Sequence, residues 1–166
     1  MKRILLGIGT NLGDREANLK TSLKNIEENI GRIIRTSSVY ETEPWGFSSE
    51  NNFLNMVAEA ETSLRPSGLL GRILMIEANM GRLRSGKGYD SRIIDIDILF
   101  FGERIMRTSS LVIPHPRLHE RKFILVPLAE IAPDLLHPVL KKDIKTLLSE
   151  CSDSCKIRKY EPGNPA

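Results

Sequence analysis

Cysteine is almost absent from this chain: Cys151 and Cys155 are the only two in 166 residues. A disulfide scaffold is thereby excluded, and with no second pair of ligands nearby a structural zinc site has no support. Two free thiols fit a reducing compartment, so a cytoplasmic protein is expected. Aromatic residues make up only 5% of the chain. No apolar run approaches the roughly 20 residues of a membrane span. In MKRILLGIGTNLGD the apolar stretch meets Asn11 and Asp14 before it reaches the length of a signal segment. Neither secretion nor a membrane partner is expected. Charge of one sign does not dominate either, since 24 Lys and Arg stand against 21 Asp and Glu, for a net +3. A surface for nucleic acid would show denser basic clustering, whereas a small phosphorylated substrate fits this balance.

A length of 166 residues lies within the roughly 100–200 residues of one domain, enough to bury a core. One domain over residues 1–166 is expected, with a tail that frays from about residue 156. Residues 2 to 8 are a run of β-formers, and GTNLGD after them is turn chemistry ending in a helix cap at Asp14. Leu19, Leu23, Ile26 and Ile30 form one helical stripe that Gly31 is placed to end. Residues 32 to 42 predict a second strand, EPWGFSSENN a loop, and FLNMVAEAET a third strand. In that strand Leu54, Met56, Ala58 and Ala60 share one face, with Phe53, Asn55 and Val57 on the other. Pro66 opens a second helix with the stripe Leu69, Ile73, Ile76 and Met80, up to Gly81. A basic loop leads from there into IIDIDILFFG, a fourth strand. The order predicts an α+β, ferredoxin-like βαββαβ core: an antiparallel sheet with helices on one face. Beyond residue 103 the pattern weakens to a hairpin, a proline loop and a helix around residues 121 to 131.

Asp95 and Asp97, at i and i+2 of a strand, project from one face. Two carboxylates so close repel unless a cation or donors intervene, and Mg²⁺ takes such oxygens together with substrate phosphates. An exposed Asp-x-Asp that arises by chance is the plainer alternative. Arg82, Arg84 and Arg92, with Lys87, lie just upstream; they suit phosphate oxygens, or they simply pair with the aspartates. His115, held between Pro114 and Pro116 and followed by Arg121, is a candidate phosphate ligand, whereas His119 and His137 read as structural. Trp45, Phe53, Tyr89 and Phe123 offer walls for a planar ring, and Asn55 offers a donor and an acceptor to a heterocycle edge. GIGTNLGD lacks the spacing of a nucleotide loop and reads as a sharp turn near a site.

Together, GIGTNLGD, YETEPWG, FLNMV, IEANMGRLR, SRIIDIDILFFG and PHPRLHERKFILVPLAEIAPD resemble the 6-hydroxymethyl-7,8-dihydropterin pyrophosphokinases of folate biosynthesis. The resemblance implies that the diphosphoryl group of ATP passes to the hydroxymethyl group of the dihydropterin, releasing AMP. It further implies that Asp95 and Asp97 hold two Mg²⁺ ions. Glu77, Arg82, Arg84, Arg92, His115 and Arg121 would face ATP, with Leu70, Ile98 and Leu111 near its adenosine. Thr42, Glu43 and Trp45 would line the pterin pocket, Asn55 would bond the ring edge, and Phe53 and Phe123 would stack on its faces. Tyr89 would close over it. Loops around residues 9 to 13, 43 to 51 and 82 to 91 would close over the substrates, although GKGYDSR departs from the family's usual pattern. A monomer with ATP and the pterin as its partners is expected. Without the resemblance, a binding module with internally paired charges, or a nucleotidyltransferase, stays open.

Overall fold

The computed structural model describes residues 1–44, 51–82 and 92–162. The opening apolar run forms β1 (Lys2–Thr10). Asp14 then caps α1 (Arg15–Asn29), its carboxylate accepting from the Ala17 N–H. The strand expected over residues 32 to 42 is two strands, β2 (Gly31–Thr36) and β3 (Tyr40–Thr42). The break has a local cause. Ser37 donates its N–H to the Val57 carbonyl at 2.8 Å and accepts the Val57 N–H on its own Oγ at 2.9 Å, so a side chain replaces a ladder carbonyl. Gly31 opens β2 rather than stopping the helix, because a Cβ there would lie 1.9 Å from the Glu61 carbonyl oxygen.

Next come β4 (Phe53–Thr62), α2 (Pro66–Asn79) and β5 (Asp95–Phe101). The short hairpin of β6 (Met106–Arg107) and β7 (Val112–Ile113) follows. Then α3 (Lys122–Ile131), α4 (Ile144–Glu150) and β8 (Ile157–Lys159) complete the chain. The sheet runs β5-β1-β4-β3-β8, with β2 also on β4, and every pairing is antiparallel. This is the expected ferredoxin-like arrangement with an added strand. The tail expected to fray is tied down over β8, because Tyr160 donates its N–H to Val39 and Arg158 pairs with Glu41. Sequence reading also passed over α4, a short helix capped by Asp143.

Strand alternation gives the sheet two unlike faces. Ile4, Leu6, Ile8, Leu54, Met56, Ala58 and Ala60 pack on Leu19, Ile26, Leu69 and Ile73 of the first two helices. Each buried Leu or Ile there is worth about 1.5–3 kcal/mol. The opposite face is divided. Its far half, Leu5, Val57, Leu99 and Phe100, is covered by α3 and α4 through Ile124, Leu125, Leu128 and Leu147. Helices therefore lie on both faces, the C-terminal pair forming the second layer. The near half carries Gly7, Gly9, Phe53, Asn55, Asp95 and Asp97 and lines a pocket instead. A bulge opposite Leu5 and Leu6 resets β5 between the two halves, so consecutive Leu99 and Phe100 both enter the α3 layer.

Candidate active site

Asp95 and Asp97 project from β5 toward the α3 side, and β1 sets a glycine opposite each: Gly9 pairs with Asp95 and Gly7 with Asp97. Those glycines leave the floor beside the carboxylates free of side chains. The GIGTNLGD glycines thus belong partly to a strand; the turn itself starts only at Asn11. Asn11 exchanges two bonds with Arg92, donating its N–H to the Arg92 carbonyl at 3.1 Å and accepting the Arg92 N–H on Oδ1 at 2.7 Å. Its Nδ2 reaches the Asn51 carbonyl at 3.3 Å. This residue pins segments more than 80 positions apart, a role that turn chemistry alone did not reveal.

Two of the basic residues, Arg82 and Arg92, converge on Asp95. Arg82 Nη1 lies 2.8 Å from Asp95 Oδ1 and also pairs with Glu77; Arg92 Nη1 lies 2.9 Å from Asp95 Oδ2. Glu77, buried on α2, also accepts the Ile96 N–H at 3.0 Å, which fastens α2 to the outer edge of β5. Arg82 and Arg92 thus pair with Asp95, as one of the sequence alternatives has it, and both also line a cleft. Asp97 differs from Asp95. Burial, and then the Asp95 charge beside it, raise its pKa to about 7, against the opposing pull of Arg121.

His115 is fixed by its own turn, donating its N–H to the Leu99 carbonyl at 3.0 Å and accepting the Arg117 N–H on Nδ1 at 3.1 Å. Nδ1 being an acceptor, the ring proton resides on Nε2. Burial, with Arg121 and Arg117 nearby, lowers its pKa to about 4, so the imidazole is a neutral donor at neutral pH. His137 is buried against Phe100 and accepts the Val139 and Leu140 N–H groups, while His119 lies beside Glu120.

Two clefts open on this centre. One is lined by Thr42, Glu43, Phe53, Asn55 and Phe123, with the β1 glycines as its floor. Asn55 Nδ2 donates to Thr42 Oγ1 at 2.7 Å, which fixes the orientation of its amide. The other runs along the outer edge of β5, between Leu70 and Glu77 of α2 and the segment carrying Leu111 and His115, with a volume of about 350 Å³. Ile98 and Arg82 line it too. Arg92, Asp95, Asp97 and Arg121 border both clefts. Trp45, Arg84, Lys87 and Tyr89 lie outside the described residues, as do most of the two loops expected around 43 to 51 and 82 to 91. Every other candidate from the sequence borders one cleft or both.

Two clefts meeting at paired carboxylates and arginines give room for two ligands beside groups suited to phosphate. Comparison with known proteins narrows this. The model of the 7,8-dihydro-6-hydroxymethylpterin-pyrophosphokinase family matches residues 5–133. The chain is 41% identical over 150 residues to a 2-amino-4-hydroxy-6-hydroxymethyldihydropteridine pyrophosphokinase of Aquifex aeolicus, covering 90% of this chain and 92% of that one. A protein of the same name from Methylorubrum extorquens is 42% identical over 137 residues, covering 82% and 86%. The folic acid synthesis protein fol1 of Pneumocystis carinii is 38% identical, but the chain spans only 20% of its length. Among solved structures, wild-type HPPK-DHPS of Plasmodium falciparum shares the fold, with a TM-score of 0.71 at 22% identity over 90% of this chain and 43% of that one. The chain belongs to the 7,8-dihydro-6-hydroxymethylpterin-pyrophosphokinase family.

Proposed function

We propose that the cleft along β5 takes ATP, that the glycine-floored pocket takes the pterin ring, and that Asp95 and Asp97 at their junction hold two Mg²⁺ ions. The reaction is that of the family: the diphosphoryl group of ATP passes to the hydroxymethyl group of 6-hydroxymethyl-7,8-dihydropterin, and AMP leaves. One observation carries the assignment of roles. The acidic pair and two arginines border both clefts, so groups bound in each would meet there.

The residues fit the metal. Among the described residues no group of three His, Cys, Asp or Glu side chains could hold an ion by itself. Mg²⁺ with ATP does not need one, since one or two carboxylates plus phosphate oxygens and water suffice. Burial and the neighbouring Asp95 charge disfavour a charged Asp97, and a cation would offset both. When bound, Mg²⁺ supplies Lewis-acid polarisation of the phosphates and a lowered pKa for the attacking hydroxyl. The chain's own part is positioning and charge neutralisation. Arg82 and Arg92, already turned toward the junction, suit phosphate oxygens, and His115 Nε2–H adds a neutral donor. On the outer edge of β5, strand alternation aims the backbone groups of Ile98 the same way as the Ile96 N–H, where an adenine edge would find them. Asn55, its amide fixed by Thr42, offers its remaining groups to the pterin edge. A cytoplasmic monomer completes the proposal.

Product analysis tests it. AMP and a pterin diphosphate ester are expected in equal amounts, by phosphorus NMR and nucleotide chromatography, with turnover abolished by EDTA. ADP as the main nucleotide would indicate an ordinary kinase, and free pyrophosphate a nucleotidyltransferase. Phe123→Ala, which removes one wall of the pocket, should weaken pterin binding by ~1–3 kcal/mol, the worth of a stacked base, and leave ATP binding nearly as it was. Titration calorimetry with each ligand alone would measure both.

A further inference from the structure

Glu41 is buried yet charged, and the mechanism above gives it no task. Its carboxylate lies between two guanidiniums: Arg15 Nη1 at 2.8 Å from one oxygen, and Arg158 on the other, with Nε at 3.1 Å. These arginines hold its pKa below the usual carboxylate range despite burial. The three residues join α1, β3 and β8. The same Arg15 nitrogen also donates to the Asn52 carbonyl at 3.0 Å. Glu41 immediately precedes Thr42 and Glu43, and Asn52 immediately precedes Phe53, so the cluster grips both strand ends that supply walls of the pterin-side pocket. The C-terminal strand reinforces that grip. Arg158 lies directly across from Glu41 in the β3–β8 ladder, Ile157 across from Thr42, and Cys155 Sγ contacts the Glu43 carbonyl at 3.5 Å.

We infer that Arg158, through Glu41 and Arg15, is a positioning residue for the pterin-side pocket, so that the C-terminal strand sets affinity for the pterin without touching it. The inference rests on the assignment of that pocket to the pterin. ATP is proposed to bind along β5, on the far side of β1 and β4 from this cluster, so the effect should be selective for one substrate.

The Arg158 side chain is 52% exposed, so its replacement should leave the fold intact. Full-length Arg158→Ala and Arg158→Lys are to be compared with the parent by steady-state kinetics and hydrogen exchange. Arg158→Ala should raise KM for hydroxymethyldihydropterin about tenfold, with KM for ATP and kcat within about twofold, and Arg158→Lys should recover most of the loss. Amide exchange should quicken at residues 40 to 43 and 52 to 55 and stay unchanged over β5. Equal rises in both KM values, no rise in either, or no rescue by lysine would overturn the inference. If the parent itself transfers nothing to the pterin, the assignment of function fails instead; exchange confined to those two strand ends would still support the positioning cluster, and unchanged exchange there would overturn it.

Discussion

Asp97→Asn is expected to lose turnover by on the order of 10³-fold, because an electrostatic group at the point of phosphoryl transfer is among the largest single contributions to catalysis. The ligand-free variant should nonetheless melt at a higher temperature than the parent at pH 8. Asp97 has a pKa raised to about 7 in the folded chain, against an ordinary value of 3.8. The folded state thus binds this proton more tightly than the unfolded state, and folding grows less favourable as pH rises between those values. Asparagine abolishes that dependence, so its advantage should be full at pH 8 and vanish toward pH 4. Asp95→Asn should lose comparable turnover without the gain in melting temperature, since Asp95 is paired with Arg82 and Arg92 and its removal breaks both contacts. Calorimetric melts across pH, beside initial rates with saturating Mg²⁺ and ATP, check both halves. Near-normal turnover in both variants would remove the metal role.

Gly9→Ala should damage the other cleft. A Cβ at this position would come within 2.7 Å of Asn55 Oδ1 and 3.7 Å of Phe53 Cδ1. The backbone of β1 is held on both sides by β4 and β5, so the amide must give way rather than the strand. Moving it disturbs the 2.7 Å bond to Thr42 and takes a donor and an acceptor from the place a pterin edge would occupy. Pterin affinity is expected to fall about tenfold or more, roughly 1.4 kcal/mol, with ATP affinity within about twofold of the parent. Equal binding of the pterin by parent and variant, measured by calorimetry, would show that Asn55 has no part in holding it.

The strand over residues 53 to 62 and the two main helices were legible in the sequence because each is built on one unbroken period. The twofold alternation of residues 53 to 62 and the helical stripes of Leu19 and Leu69 admit few other readings. What periodicity could not reveal depends on partners distant in sequence. The break of the second strand at Ser37 is decided by Val57, and the anchoring of the tail by Glu41 and Val39. The candidate site was legible by residue type wherever charge stands in an apolar strand, as at Asp95 and Asp97. It was hidden where the pocket is shaped by a missing side chain, as at Gly7 and Gly9, or by a backbone splice, as at Asn11. The different surroundings of the two aspartates were also beyond the sequence, since only the fold brings Arg82 beside Asp95 and Arg121 toward Asp97.

The residues around the two clefts run from Gly7 on the first strand to Ile124 on the third helix. No short segment of the chain therefore forms either cleft by itself, and the unfolded chain has no assembled site for either substrate. Binding and folding become thermodynamically linked: a ligand present at about 100 times its dissociation constant adds roughly 2.7 kcal/mol to the free energy of unfolding. For this protein, substrate supply in the cell is also a term in its resistance to unfolding and proteolysis.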